Sequence, residues 1–270
     1  MEASIRNSAV PILAYHEVSP DPYPPFRRYT LKVSEFARQV RWLSSRGYQA
    51  IDLDTLLRAR TSGDALPARP VLITFDDGFQ SCADHAVPVL QRYGFTATFF
   101  LVASLVGDTS RWMTEAKVTL PLMSWERARA LARAGFQFGS HTLTHPRLPE
   151  LDATRRRVEL WDSRRRLEDE LSRPVLHFAY PYGAYDGDVR ASVADAGYAT
   201  ACGTRSGLSE PGEDLLALRR VTVHGHDSLL DFACRLRTGL AAGERLGYVI
   251  KGVARRLTGR AGPDGDPGFG

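Results

Sequence analysis

The sequence predicts one α/β domain built on a mostly parallel sheet that closes, or nearly closes, into a barrel. Short apolar runs alternate with segments whose apolar residues recur at helical spacing, from residue 10 to residue 240. No linker rich in glycine, serine or proline divides this region. Seven or eight strands within about 230 residues favour a barrel over an open sheet. With 270 residues, 43% of them hydrophobic, the chain can bury the core that this fold requires.

In the first half, each predicted strand is a short apolar run, and each helix has apolar residues three or four positions apart. The first long helix illustrates the pattern, since Phe36, Val40 and Leu43 share one face and Gly47 ends it. In chain order the elements are strand 10–15, helix 33–46, strand 48–53, helix 54–60, strand 71–75, helix 82–93 and strand 96–102.

The same alternation continues through the second half of the chain. Ser124 is a capping residue, and Glu126 and Arg127 follow it in the first turn of the next helix. The elements are helix 124–134, strand 136–139, helix 153–171, strand 175–179, helix 189–196, strand 198–201, strand 216–223 and helix 229–240. Because parallel strands need crossover connections, this order indicates parallel pairing.

The charge pattern disfavours nucleic acid as a partner. The net charge is +4, and the densest arginine cluster, within residues 155–166, is interleaved with and followed by acidic residues. That pattern is typical of a solvated helix face with ion pairs one turn apart. The three cysteines form no CxxC pair and are expected to be reduced thiols.

The ends of the chain give expectations about location. The first 17 residues contain no apolar h-region, so we expect a cytoplasmic protein, and residues 1–240 are assigned to the catalytic domain. Residues 241–259 form a basic amphipathic segment, which either packs on the barrel or contacts the inner face of the membrane. Residues 260–270 are expected to be disordered. A homodimer is left open.

Chemically active side chains collect just after the predicted strands, where α/β barrels place their sites. Asp76 and Asp77 follow the strand at 71–75. Five of the seven histidines also lie at strand ends, namely His16, His141, His145, His224 and His226. Two imidazoles and one carboxylate are a common ligand set for a divalent metal. The spacing of His141 and His145 is also found in structural loops, but Asp77 at a nearby strand end favours a metal site.

The two adjacent aspartates are predicted to serve different purposes. Successive strand residues point to opposite sides, so one carboxylate can reach a metal while the other reaches the attacking water. A glycosidase instead needs two carboxyl groups that flank one bond, about 5–9.5 Å apart. Neighbours on one strand meet that requirement poorly.

Three motifs in this order resemble the polysaccharide deacetylases of carbohydrate esterase family 4. They are TFDDG at 74–78, SHTLTHP at 140–146 and YPYG at 180–183, and the resemblance extends over about residues 10–240. It implies a distorted (β/α) barrel of about seven strands. It also implies that Asp76 is the general base and that Asp77, His141 and His145 bind a metal, usually zinc, with Co²⁺ or Ni²⁺ also suitable.

The resemblance also implies an oxyanion site in the YPYG loop. The backbone N–H of Tyr182 would help to hold the oxyanion, while Pro181 and Gly183 shape the loop. Many members carry an arginine two residues before that proline to hold the base, but here the position is Ala179. Arg220 on a neighbouring strand is the candidate replacement.

The proton donor for the leaving amine has two candidates. PILAYHEVSP at 11–20 resembles the exopolysaccharide and biofilm branch, in which the N-terminal YH element supplies the acid, and this implies His16. VHGHD at 223–227 only loosely matches the family's C-terminal leucine-x-histidine motif, and His226 is the second candidate.

The resemblance implies a metal-dependent N-deacetylase acting on N-acetylhexosamine units of an exopolysaccharide, or on its lipid-linked precursor at the inner membrane face. Two other readings stay open. One is a hydrolase of O-acetyl esters or small amides using the same site. The other is a catalytically weak carbohydrate-binding relative, which the missing arginine motivates.

Overall fold

The computed structural model describes residues 8–240, so the predictions for 241–259 and 260–270 lie outside the described residues. Ten strands lie in this range. They are β1 (Ile12–Tyr15), β2 (Glu17–Ser19), β3 (Thr30–Lys32), β4 (Gln49–Ile51), β5 (Pro70–Phe75), β6 (Thr98–Leu101), β7 (Gln137–Ser140), β8 (His177–Ala179), β9 (Thr200–Ser206) and β10 (Leu218–Thr222).

Seven α-helices connect these strands. They are α1 (Val33–Ser45), α2 (Leu53–Thr61), α3 (Val87–Arg92), α4 (Trp125–Arg133), α5 (Ala153–Leu171), α6 (Gly187–Asp195) and α7 (Leu229–Thr238). Short 3₁₀ turns lie at Pro24–Phe26, Arg111–Ala116, Leu148–Glu150 and Pro181–Gly183. The predicted cap of α4 is present, because the Ser124 side chain accepts a hydrogen bond from the backbone N–H of Arg127.

Seven parallel strands close into a barrel. Their order is β1-β10-β9-β8-β7-β6-β5, and β1 also pairs with β5, which completes the ring. Strand β4 pairs with the start of β5, outside the ring. The predicted fold class, a distorted (β/α) barrel of about seven strands, is confirmed.

A buried apolar cluster lies inside the barrel and under α2. It includes Ile12, Leu72, Phe100 and Leu218, and α2 packs against it through Leu53 and others. The amino ends of β6, β7, β8 and β9 carry a chain of hydrogen bonds between the side chains of Thr98, Gln137, His177 and Thr200. A second group of polar side chains lies at the opposite end, the mouth, where the carboxyl ends of the strands meet.

The helix predicted over 82–93 is present, but it is not a regular α-helix throughout. Its first part, Cys82–Ala86, is a π-helical turn, and α3 continues it with Pro88 in the first turn. Proline has no N–H to donate to the preceding turn, which fits the altered hydrogen-bond pattern there. Two strands were missed by the sequence prediction. Strands β2 and β3, which pair in parallel with each other, were not predicted because each has three residues. No helix within residues 8–240 is long and apolar enough to cross a membrane.

Candidate active site

Asp76 and Asp77 lie in a tight turn directly after β5, at the mouth of the barrel. The N–H of Gly78 donates to the carbonyl of Asp76 at 2.9 Å, which closes a three-residue turn around Asp77. Asp77 accordingly has a φ of 71°, a value that non-glycine residues seldom adopt. Both aspartates are buried. Strained backbone of this kind is concentrated at functional sites.

Asp77, His141 and His145 come together at the mouth. Oδ1 of Asp77 lies 3.5 Å from Nε2 of His141 and 3.3 Å from Nε2 of His145. Ligands held about 2.0–2.1 Å from a tetrahedral ion are separated by about 3.4 Å. Both carboxylate–imidazole distances therefore match a metal-ligand set, all three donor atoms lie within 4.8 Å of one another, and their residues are buried.

Hydrogen bonds orient the imidazole of His141. Its Nδ1 lies 2.8 Å from the carbonyl of Ala179, an arrangement in which Nδ1–H donates and Nε2 is left with a lone pair facing Asp77. Nδ1 of His145 is buried and has no hydrogen-bond partner among the described residues. The ring of His145 is fixed instead by packing against the rings of Trp112 and Tyr182.

The loop that carries both histidines is held by Glu159 of α5. One carboxylate oxygen accepts from the backbone N–H groups of Leu143 and Thr144 at 2.8 and 2.9 Å, and the other accepts from the Thr144 hydroxyl at 2.6 Å. Satisfying these donors stabilises a loop in which Thr142 and His145 both have positive φ. Sequence reasoning did not identify Glu159, because the contact joins a loop to a helix face 15 residues further along the chain.

Burial sets the protonation of the three candidate ligands. Burial lowers the pKa of His145 to about 3. Burial, followed by the charge of His145, also lowers the pKa of His141. Burial raises the pKa of Asp77. Neutral imidazoles are the form that binds a metal, so the lowered pKa values of the two histidines suit that use, while the raised pKa of Asp77 opposes it.

Arg220 of β10 pairs with Asp76. Its Nη1 and Nη2 donate to Oδ1 and Oδ2 of Asp76 at 2.7 and 2.6 Å. Its Nε donates to the carbonyl of Gly203 at 2.9 Å. That carbonyl lies where the register of β9 against β10 shifts, from Cys202 opposite Leu218 to Ser206 opposite Arg220. Burial alone would raise the pKa of Asp76, but the charge and hydrogen bonds of Arg220 outweigh it and hold that pKa well below its usual range.

His16 follows β1 and is partly buried at the same mouth. Its ring lies 5.0 Å from that of Tyr29, measured between centroids. Its Nδ1 is buried and has no hydrogen-bond partner in the described part of the chain. Burial lowers the pKa of His16, while the charges of Asp77 and Asp76 oppose that shift. The structure thus brings His16 within electrostatic reach of both aspartates.

The YPYG loop packs against His145 and against β9. The rings of Tyr182 and His145 meet edge to face at 4.7 Å, and Tyr182 has a φ of 58°. A Cβ on Gly183 would lie 1.9 Å from Oγ1 of Thr204, so this position has no room for a side chain. The guanidinium group of Arg147 lies 4.4 Å above the Tyr182 ring.

Trp112 was not singled out from the sequence, yet it lies beside the candidate ligands. Its ring stacks on that of His145 at 4.6 Å, with 26° between the planes. Tyr15, by contrast, is buried, and its hydroxyl donates to Gln39 at 2.8 Å. An aromatic residue in a loop can be assigned to a site only once its tertiary contacts are known.

The second acid candidate lies in a different group. His226 is exposed, and its ring stacks on that of His224 at 5.4 Å. The charges that act on His224 come from Asp227, Arg235, Arg28 and His226. His226 is therefore grouped with the β10–α7 loop, whereas His16 is grouped with Asp76 and Asp77.

Fold and site together define a (β/α)-barrel hydrolase with a candidate His/Asp metal centre. The chain belongs to the polysaccharide deacetylase family, whose sequence profile matches residues 63–201. It is similar to the YxkH protein of Bacillus subtilis, with 28% identity over 218 residues that cover 81% of this chain and 72% of that protein.

Two further similarities concern named deacetylases. The poly-beta-1,6-N-acetyl-D-glucosamine N-deacetylase of Escherichia coli is 24% identical over 245 residues, covering 78% of this chain and 36% of that protein. The chain thus spans about a third of that relative. The solved structure of IcaB from Ammonifex degensii aligns with a TM-score of 0.67 and 26% identity, covering 80% of this chain and 91% of that chain.

Proposed function

We propose that this protein is an N-deacetylase that removes acetyl groups from N-acetylglucosamine-type units of an exopolysaccharide. The observation that carries the proposal is the placement of an ionised carboxylate, Asp76 held by Arg220, beside the Asp77–His141–His145 set. The similarity to a poly-beta-1,6-N-acetyl-D-glucosamine N-deacetylase supports this substrate class.

Asp77, His141 and His145 would hold a divalent metal, zinc being our first choice, which would polarise the acetyl carbonyl and make a bound water more acidic. Other groups of the protein hold these ligands in place. The carbonyl of Ala179 fixes the His141 ring, and Trp112 and Tyr182 pack on the His145 ring. Glu159 fixes the loop between them.

In this mechanism Asp76 accepts the proton of the attacking water. Arg220 keeps the Asp76 carboxylate ionised and oriented at neutral pH, and the same pairing makes it a weaker base. The backbone N–H of Tyr182 would donate to the oxyanion, Pro181 would shape that loop, and Gly183 lies directly against Thr204. His16 would give a proton to the amine as the C–N bond breaks, because an amide nitrogen leaves poorly without one.

The test is product analysis with a β-1,6-linked N-acetylglucosamine oligomer and metal-loaded protein. We expect equal amounts of acetate and free primary amine. Acetate released from an O-acetylated glycan, with no amine from the oligomer, would instead indicate an esterase. Binding of the oligomer without any release would indicate a carbohydrate-binding relative.

The lipid-linked precursor and the cytoplasmic location stay predictions from the sequence. A β-1,4-linked oligomer and a diphosphate-linked lipid acceptor, assayed beside the β-1,6 oligomer, would rank the substrates by kcat/KM. Fractionation of cells into soluble, membrane and secreted material would test the location. Protein found mainly in the secreted fraction would exclude the cytoplasmic prediction.

A further inference from the structure

A second group of metal-binding side chains lies in the loop between β10 and α7. His224, His226 and Asp227 each offer one ligand atom, and these atoms lie within 4.8 Å of one another. The mechanism above does not use this group. We propose that these three residues form a second divalent-cation site, separate from the Asp77–His141–His145 set, for an ion that prefers imidazole, such as Zn²⁺, Ni²⁺ or Cu²⁺.

The three ligand atoms are close enough for a local adjustment to bring them around one ion. Ligand atoms in a tetrahedral site lie about 3.4 Å apart, so a separation at the upper bound of 4.8 Å would have to shrink by about an ångström. The exposed His226, whose ring stacks on that of His224 with 18° between the planes, is the residue best placed to make this movement.

His224 supplies an independent indication of a ligand. Its Nδ1 is buried, and within residues 8–240 no group is placed to form a hydrogen bond with it. Oδ2 of Asp227, at 3.9 Å, is too distant to do so. A buried polar atom without a partner is unfavourable, and coordination to a cation would satisfy its lone pair.

Asp227 is fixed in place as a ligand would need to be. Its Oδ2 accepts from the backbone N–H of His224 at 2.9 Å and lies 3.1 Å from Nε of Arg235. Its Oδ1 receives the longer contact from Arg235, at 3.4 Å, and is the oxygen more available to an ion. The carboxylate is thus held rigidly between β10 and α7.

The same surroundings set the order of affinity. The positive charges of Arg28 and Arg235 are close enough to act on His224, and they oppose a bound cation. The charge of Arg220 also acts on Asp77, but Arg220 is paired with the carboxylate of Asp76, which is not one of the three ligands. The second site should therefore fill after the Asp77 site, and an ion that binds nitrogen ligands strongly should fill it best.

The experiment is a count of bound ions per chain. The full chain, stripped with a chelator and free of any histidine tag, is equilibrated with excess Zn²⁺ and then with Ni²⁺. Metal and protein are measured after equilibrium dialysis. We expect two ions in the wild type and one each in His226→Ala and His145→Ala. His85→Ala, which removes a histidine outside both groups, is the matched control and should keep two ions.

One ion in the wild type, or two in His226→Ala, would overturn the proposal. Loss of an ion in His145→Ala but not in His226→Ala would overturn it while leaving the proposed function intact. Loss of an ion in His226→Ala but not in His145→Ala would support the second site and contradict the assignment of Asp77, His141 and His145 as metal ligands. Melting temperatures of each stripped variant show that the fold is kept, and the exposed position of His226 makes that variant the safest.

Discussion

The guanidinium group of Arg220 donates two hydrogen bonds to the carboxylate of Asp76, so a residue of β10 fixes the residue that follows β5. Both groups are buried, and a bidentate arginine–carboxylate pair is among the strongest polar contacts in proteins. The family resemblance implied an arginine at position 179, which is Ala179 in this chain, and here the charge reaches the carboxylate from β10.

Replacing Arg220 should destabilise the protein and alter its pH dependence. In Arg220→Met the Asp76 carboxylate is left buried and unpaired, which should lower the free energy of unfolding at pH 7 by about 3–5 kcal/mol. Because the pKa of Asp76 is lower in the folded state, the contribution of the pair is full above the unfolded pKa of about 3.9 and declines below it. Urea denaturation at pH 7 and pH 3 measures both effects.

Arg219→Met is the matched control for this measurement. Arg219 is the neighbouring residue and pairs with Glu213 at 3.2 Å near the surface. Partly exposed pairs contribute about 0–1 kcal/mol, so this variant should unfold almost like the wild type. Equal destabilisation by the two substitutions would contradict the special role of the buried pair.

The two adjacent aspartates should fail in different ways. Asp76→Asn should lower kcat by about 10²–10⁴-fold with metal content unchanged, because it removes the proton acceptor alone. Asp77→Asn should lower the metal content and the activity together. Metal analysis beside kcat measurement separates the cases, and the roles would be reversed if Asp76→Asn lost the ion and Asp77→Asn kept it.

His16 and His226 can be separated by the leaving group of the substrate. His16→Ala should lose most activity on an N-acetylated oligomer but keep much of its activity on an aryl acetate, whose phenolate leaves without a proton. His226→Ala should retain both activities. The ratio of the two rates in each variant is the measurement. A selective loss of amide cleavage in His226→Ala would move the acid to the β10–α7 loop.

The contact between Gly183 and Thr204 should be sensitive to a single methyl group. Gly183→Ala would place Cβ 1.9 Å from Oγ1 of Thr204, at a φ of 67°, so the YPYG loop must shift. We expect at least a tenfold loss of kcat by analogy with other misplaced catalytic groups. Adding Thr204→Gly to Gly183→Ala should restore part of the lost kcat, because it removes the side chain that the new Cβ meets. Gly187→Ala, where nothing lies within 4 Å of the added Cβ, is the control and should be neutral.

The buried histidines should make the metal-free protein less stable in acid. Burial lowers the pKa of His145 to about 3, so the unfolded chain takes up a proton first as the pH falls below about 6.5. Between pH 6.5 and about 3, this residue alone should lower the free energy of unfolding by up to about 1.4 kcal/mol for each pH unit of acidification. Asp77, whose pKa burial raises, acts in the opposite sense. In His145→Gln the free energy of unfolding, measured with urea, should therefore depend less steeply on pH. An unchanged dependence would contradict the attribution to buried His145.

The sequence predicted well those elements whose residues carry their own signal. Helix α5 begins and ends at the predicted residues, 153 and 171, β1 lies within the run predicted over 10–15, and β5 begins one residue before the strand predicted over 71–75. The strands β2 and β3 were missed because three residues are too few to show a period and depend on pairing with each other. Arg220 could be proposed as the partner of Asp76 because side chains alternate along a strand, and that alternation can be read from the sequence.

The supporting contacts of the site were not accessible to the same reasoning. Trp112 lies in a 3₁₀ turn with no periodic pattern, and Glu159 is one acid among several on a charged helix. Arg147 is one of several exposed arginines that lie over an aromatic ring, and it is connected with the site only because its ring is that of Tyr182. Each of these residues is distinguished by a tertiary contact, and such contacts are visible only in the folded structure.

The most direct test of the central claim is acetate and amine release from a β-1,6-linked N-acetylglucosamine oligomer, comparing metal-loaded wild type with Asp76→Asn. The proposed mechanism predicts equal acetate and amine from the wild type, and a rate at least about a hundredfold lower from a variant that holds the same amount of metal. Equal rates from both proteins, or acetate without amine, would contradict it.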